Sequence, residues 1–539
     1  MEPLDNNEVG KDFPQVDLGY SVYQASGYDE AGDFFTFNNI RYAAPPTGAR
    51  RFQTPEPPLV NRDVVQTGLS GNFPPQAVPL WRRVIKEWPN PGSEDCLFLD
   101  VKVPRATWDG RDTQVKGVPV MVWIFGGGYT AGSKEAFGSG AGLLARSAEP
   151  IIYVALNYRL GIYGFLAGPK YTGHGGTANL GLLDQRFALQ WIQKHISAFG
   201  GDPDRVTVIG ESAGGGSIYH QVTAYGGQQG QSPFAQAILQ SPGFYPITDS
   251  EVMDRHYQSA LTYANCDCVD DLKLLSEAKL KEVNLAVIDE APYGQFLLGP
   301  VVDGVFAPNL PGTLLSSGSF DHGLRIMLGQ CYNEGGDYVE PVDISPSYFS
   351  EYLDRTFPSM KPSVKDYVTS NLYPSISTIL PDFQRSSGLW PHFSHETPYY
   401  TTPTARLQRL IGDAIYIQHN NALSTAFQNK TYNYMMSLAP GTHGTDISYT
   451  FYNEGKEEKS AVPGLPNVKN RELAHIFQKY LTNFVLYGDP NGNKDAGLPK
   501  MNQRGDDFVV LNFGENGIEE IRDPSAKEQC LWWQKGLFA

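Results

Sequence analysis

Four short runs of this chain, residues 120–125, 151–156, 206–209 and 325–328, are largely apolar and each ends in a polar or glycine-rich turn. A half-exposed strand alternates polar and apolar side chains. Runs that are apolar on both faces suit strands buried between layers of helix, which pair in parallel and need helical crossovers. A fifth run, 432–437, alternates aromatic and sulfur side chains. One crossover is legible at 181–192, where Leu182, Leu183, Phe187, Leu189, Trp191 and Ile192 mostly keep helical spacing. About the first hundred residues differ. Their short stretches, such as 34–37 and 96–101, predict antiparallel strands entering the same sheet. Arg471–Tyr487 predicts an amphipathic helix stopped by Gly488-Asp489-Pro490.

At 539 residues the length alone would suggest several domains. No fixed-period repeat, low-complexity tract or linker marks a seam between them. The expectation is therefore one α/β unit over 1–539, with cap or lid insertions at about 72–96, 249–324 and 341–419. Lys and Arg number 42 against 58 Asp and Glu, a net charge of −16. Such a balance argues against nucleic acid and against anionic membranes, both of which call for clustered basic residues. Solubility accounts for the acidity, with attraction of cationic substrates as the alternative.

No stretch approaches the length of a membrane span, and the N-terminal residues lack the basic start and apolar core of a signal peptide. The expected location is cytoplasmic, with secretion only if the N-terminus is incomplete. A lone sequon at Asn429 is weak evidence the other way. The cysteines Cys96, Cys266, Cys268, Cys331 and Cys530 are few and odd in number, so no full disulfide framework is implied. Cys266 and Cys268 lack the second pair a metal site needs, and neither metal nor cofactor is expected.

The chemistry starts at Gly210-Glu211-Ser212-Ala213-Gly214. A strand runs directly into this pentapeptide and a helix-like stretch, 217–222, runs out of it. A turn this tight strains the serine backbone and admits only small residues two positions to either side, which is the mechanical reason for Gly210 and Gly214. It also lifts the Ser212 hydroxyl above the sheet. A serine nucleophile needs a base, and the base needs an orienting partner. Functional residues of such sheets lie beyond the carboxyl ends of strands. Of ten histidines, His443 follows a predicted strand through a short turn, whereas His195 and His220 fall in helical text and His392 and His395 in an insertion. Glu334 is the first acid after the run at 325–328, with Asp337 close behind. The chain order Ser, acid, His is that of α/β-hydrolases. Gly126-Gly127-Gly128 follows the run at 120–125, and the backbone N–H groups of Gly127, Gly128 and Ala213 are the expected oxyanion donors, each worth about 3–4 kcal/mol in the transition state. Glu211 and Ser241 are placed just behind these groups.

The whole chain resembles the type-B carboxylesterase and lipase family, which includes cholinesterases and fungal lipases. The resemblance rests on Tyr42-Ala43-Ala44-Pro45-Pro46-Thr47-Gly48 with Arg51-Phe52, and on Ser93-Glu94-Asp95-Cys96-Leu97. It continues through Asn157-Tyr158-Arg159-Leu160-Gly161, Phe199-Gly200-Gly201-Asp202-Pro203, the pentapeptide, Asn333-Glu334-Gly335, Gly441-Thr442-His443 and Tyr487-Gly488-Asp489-Pro490. Gln240-Ser241-Pro242-Gly243-Phe244 is similar to fungal members. The resemblance implies an α/β-hydrolase fold: a large, mostly parallel sheet with N-terminal antiparallel strands, flanking helices and helical caps. It implies hydrolysis of a small or medium hydrophobic ester through an acyl-serine, with a place in fungal secondary metabolism as the fitting hypothesis. An acyltransferase or lactone-forming enzyme would share the acyl-enzyme. A non-catalytic interaction protein of the same family would usually lack one of the three residues kept here.

Departures from the family pattern matter too. Phe125 stands where members usually carry His or Tyr, and Cys96 and Cys266 lack their usual disulfide partners. The segment 72–96 resembles a lid, which the missing disulfide should leave freer to move. Trp81 and Trp88 within it, with Phe125, are the substrate-binding candidates.

Overall fold

The structure is a computed structural model that describes residues 13–83, 91–113, 116–136, 138–341, 344–345, 347–375, 400, 402–454, 465–492 and 497–539. Strands β1 (Gln15–Asp17) and β2 (Val22–Gln24) form a small antiparallel ribbon. The other strands are β3 (Gly27–Asp29), β4 (Phe34–Arg41), β5 (Phe98–Pro104), β6 (Val118–Ile124), β7 (Ile152–Leu156) and β8 (Gly201–Glu211). They continue with β9 (Gln236–Gln240), β10 (Arg325–Cys331), β11 (Tyr432–Met436), β12 (Val509–Gly514) and β13 (Gly517–Arg522). These make one eleven-stranded sheet in the order β13-β12-β11-β10-β9-β8-β6-β7-β5-β4-β3.

Pairing is parallel from β7 through β6, β8, β9, β10 and β11 to β12, and antiparallel at both edges. The physical reason is burial. Every residue of β7 and β9 is buried, as strands covered on both faces require. The crossover helices Leu180–His195, Ala213–Val222 and Arg471–Tyr487 cover the faces. At the far edge β13 turns largely exposed residues outward, with Glu519, Glu520 and Arg522 discouraging further strand pairing.

Two parts of this sheet go beyond the sequence expectation. Strand β9 lies between β8 and β10, and its apolar stretch is only Ala237-Ile238-Leu239 between two glutamines, too short to stand out. The β12–β13 hairpin closes the C-terminal edge. The insertion at 249–324 holds the helices Ser250–Ala264, Val269–Leu274, Glu277–Ile288 and Pro311–Ser316. In the later insertion the last helical run passes continuously from Pro403–Gly412 through Asp413–Ile417 into Gln418–Ala426, so it extends past 419.

Charged motif residues shared with the resembled family are spent on buried pairs. Arg51 Nε donates to Glu94 at 2.6 Å, and Arg159 Nη2 to Asp184 at 2.6 Å. Removing one partner of such a pair strands a buried charge, at a cost of about 3–5 kcal/mol. All five cysteines are free, and Cys96 is buried. In the lid segment, hydrogen bonds take the place of a disulfide: Ser93 N–H donates to the Phe73 carbonyl, Ala77 N–H to that of Thr130, and Asn157 Nδ2 to that of Asn72.

Candidate active site

Strand β8 ends at Glu211, and Ser212 follows with φ 55° and ψ −123°, a conformation that side-chain-bearing residues rarely adopt. Three backbone hydrogen bonds hold it there. Its N–H donates to the Gln240 carbonyl at 3.0 Å, and its own carbonyl accepts from Gly216 at 2.8 Å and Gly243 at 2.9 Å. The flanking glycines are required by close approach. A Cβ on Gly214 would stand 2.0 Å from the Ile124 carbonyl oxygen, and one on Gly210 would stand 2.7 Å from the Gly214 backbone. The helix Ala213–Val222 then starts directly under the serine.

Glu334 and His443 arrive from the ends of β10 and β11, which are parallel neighbours. Beyond the strands the two loops stay joined, Asn333 N–H donating to the Gly441 carbonyl at 2.8 Å. Glu334 is almost wholly buried, and each of its oxygens is used. Oε1 accepts from Ser241 Oγ at 2.7 Å and from Cys331 N–H at 2.5 Å, and Oε2 meets His443 Nδ1 at 2.6 Å. Asp337, the other acid considered, lies in the middle of the short turn Gly336–Tyr338 instead. The second imidazole nitrogen, His443 Nε2, is buried without a hydrogen-bond partner and lies 3.2 Å from Glu211 Oε1. It therefore faces the turn that carries Ser212. Such bonds are often open in an unliganded site and close on the substrate.

Burial disfavours the His443 imidazolium, but the Glu211 and Glu334 carboxylates outweigh it and hold its pKa above the ordinary range. Burial pushes Glu211 up to about 8, and Asp446 and Glu334 add to that against the pull of His443. Asp446 is itself raised to about 6 by burial, while a 2.6 Å hydrogen bond from the Tyr434 hydroxyl opposes the rise. Three carboxyls thus surround one imidazole.

Gly127 and Gly128 follow β6 with φ of 119° and 63°. A Cβ on Gly127 would meet the Ala131 carbonyl oxygen at 2.2 Å, and one on Gly128 the Phe296 ring at 2.2 Å. Among the described residues, no protein acceptor takes the N–H of Gly127, Gly128 or Ala213. Gly128, Ser212, Phe244, Phe296, Leu298 and Tyr416 line a cavity of about 20 Å³, room for one or two waters. On the other side of Tyr245, Ile247 and Leu297 lies a groove of about 650 Å³.

The substrate-binding candidates fare differently. Phe125 is fully buried and stacked on Tyr158 at 4.3 Å, so it belongs to the core behind the glycine loop and not to the cavity wall. Trp81 packs on Phe296 at 5.6 Å and donates its indole N–H to the Gln295 carbonyl at 2.7 Å. Trp88 lies outside the described residues, as do His392 and His395. Missed altogether were Tyr416 and Tyr338, whose rings sit 4.3 and 5.7 Å from that of His443, and Asp446. Tyr416 comes from the later cap insertion and Tyr338 from the short turn after β10, and neither carries a local motif. Asp446 lies three residues beyond His443 and is found by asking which acids sit near that histidine.

With this geometry the relationships to known proteins are coherent. The sequence profile of the Carboxylesterase family matches residues 23–533. The chain is 35% identical to carboxylesterase patB of Aspergillus clavatus, over 98% of this chain and 96% of that protein. It is 34% identical to carboxylesterase patB of Penicillium expansum, over 98% and 97%. A secreted lipase of Arthroderma benhamiae is 29% identical over 98% and 93%. Among solved structures, Aspergillus niger EstA superposes with a TM-score of 0.78 at 25% identity, covering 97% of this chain and 98% of that one. No described helix is long and apolar enough to cross a membrane. The chain belongs to the Carboxylesterase family, has the α/β-hydrolase fold and is a serine carboxylesterase.

Proposed function

We propose that Ser212, His443 and Glu334 act together to cleave a carboxylic ester through an acyl-Ser212 intermediate. The observation that carries this is the His443 ring, fixed at Nδ1 by Glu334 at 2.6 Å while the buried Nε2 stays unpartnered and faces the Ser212 turn. Glu334 orients the ring and stabilises the imidazolium. His443 takes the Ser212 proton as Oγ attacks the ester carbonyl. The tetrahedral oxyanion is held by the N–H groups of Gly127, Gly128 and Ala213. The C–O bond to the leaving group then breaks, and His443 hands its proton to the departing alcohol. Water, deprotonated by the same ring, attacks the acyl-serine, and collapse returns the acid and free Ser212.

The apolar lining beside Ser212, with Phe244, Phe296 and Leu298, supports a hydrophobic ester of small or medium size. The sheet runs from β3 to β13 through strands on both sides of every insertion, which supports a single unit over 1–539. The two fungal carboxylesterase relatives favour a fungal setting. Free thiols at all five cysteines favour a reducing compartment, whereas another relative is named as secreted.

A fluorophosphonate probe tests the assignment. The expected result is one covalent adduct on Ser212, absent in Ser212→Ala, together with hydrolysis of an aryl acetate by the wild type. Folded wild-type protein that acquires no adduct and cleaves no ester would sink it.

A further inference from the structure

Arg82 stands apart from the other basic residues near the site. It ends the short turn Leu80–Arg82 in the lid segment, and the Trp81 indole pins that turn to the Gln295 carbonyl at 2.7 Å. The neighbouring Arg83 is neutralised by Asp289 and also donates to the Val78 carbonyl at 2.7 Å. Arg82 is exposed and, among the described residues, forms no ion pair. Its guanidinium carbon lies 6.0 Å from the Phe296 ring and 5.9 Å from that of Trp81, and its charge acts on the Tyr338 hydroxyl nearby. Asp337, Tyr416, Glu211 and His443 are the other ionisable groups whose fields it shares.

Those contacts fix where Arg82 sits. Phe296 forms one wall of the cavity beside Ser212, and the Tyr338 ring meets the edge of His443 at 5.7 Å. Arg82 lies outside the Phe296 wall, beyond the cavity, and its charge reaches the His443 imidazole. His443 is the group that protonates the departing alcohol, so this flank is the leaving-group side. We propose that Arg82 binds a carboxylate on the leaving group and selects esters that carry one. This rests on the esterase assignment above.

The charge balance tells against such a substrate at long range, and Arg82 tells for it at short range. A net charge of −16 repels anions from afar. That repulsion is screened beyond about 8 Å at physiological salt, whereas a guanidinium flanked by aromatic rings engages a carboxylate through two parallel hydrogen bonds. A charge-assisted pair of this kind changes a specificity ratio by about tenfold or more.

The test compares 4-acetoxybenzoate with its neutral methyl ester. Both share the acetyl group, and each kcat/KM is divided by the rate of hydrolysis by hydroxide. The wild type should prefer the carboxylate by about tenfold or more, Arg82→Gln should bring the ratio close to one, and Arg82→Lys should restore part of it. Labelling of Ser212 by the fluorophosphonate shows that each variant retains a folded site. If a variant does not label, the wild-type ratio decides alone: a clear preference supports the proposal and a ratio at or below one overturns it. An unchanged ratio in a labelled Arg82→Gln protein also overturns it. In both overturning cases, hydrolysis of the neutral ester leaves the esterase assignment standing.

Discussion

Glu211→Gln removes a carboxyl 3.2 Å from His443 Nε2 that burial has pushed from 4.5 up to about 8. The folded protein holds this proton more tightly than the unfolded chain does. The stability Glu211 contributes is therefore fully present below pH 4.5 and lost as pH rises through about 8. At about 1.4 kcal/mol for each pH unit the whole span comes to about 5 kcal/mol, a ceiling because a charged His443 beside it offsets part of the loss. Glutamine keeps the shape and cannot ionise. Relative to the wild type, the variant should gain about 2–4 kcal/mol between about pH 5 and about pH 9. Urea unfolding at a series of pH values measures this, since the extrapolated free energies of the two proteins can be subtracted at each pH. A difference that stays flat across the window, or shrinks toward alkaline pH, refutes the burial argument.

The pH profile and the glycine loop supply two more expectations. Because Glu211 and Glu334 hold the His443 pKa above 6.5, the acid limb of kcat/KM for a neutral ester should have its midpoint above that value, as steady-state rates from about pH 5 to about pH 9 would show. Gly128→Ala places a methyl 2.2 Å from the Phe296 ring at a φ of 63°, so kcat should fall by about a hundredfold or more while circular dichroism stays unchanged.

Much of the site was legible because strand ends concentrate chemistry. A parallel sheet places the residues after β6, β8, β10 and β11 along one edge, so Gly127, Ser212, Glu334 and His443 could be assigned from the runs that precede them. Phe125 misled for a related reason. It directly precedes the glycines, but its side chain points back onto Tyr158, and the direction of a side chain at a strand end depends on what packs behind it. Strand β9 stayed hidden because three apolar residues between glutamines carry almost no periodic signal, although Ser241, at its end, holds Glu334 at 2.7 Å.

What the sequence determined by itself is local and periodic: buried strands, the strained serine turn, and the order along the chain of Ser212, Glu334 and His443, the residues proposed as nucleophile, acid and base. Each depends on neighbours within a few residues, where backbone sterics and burial act directly. Only the tertiary structure decided what surrounds the base. Tyr338 and Tyr416 come from separate segments and pack their rings around His443, and the charge of Arg82 reaches it from a third. Such long-range convergence sets the pKa values of Glu211 and His443, because desolvation and Coulomb fields depend on distance in space and not along the chain.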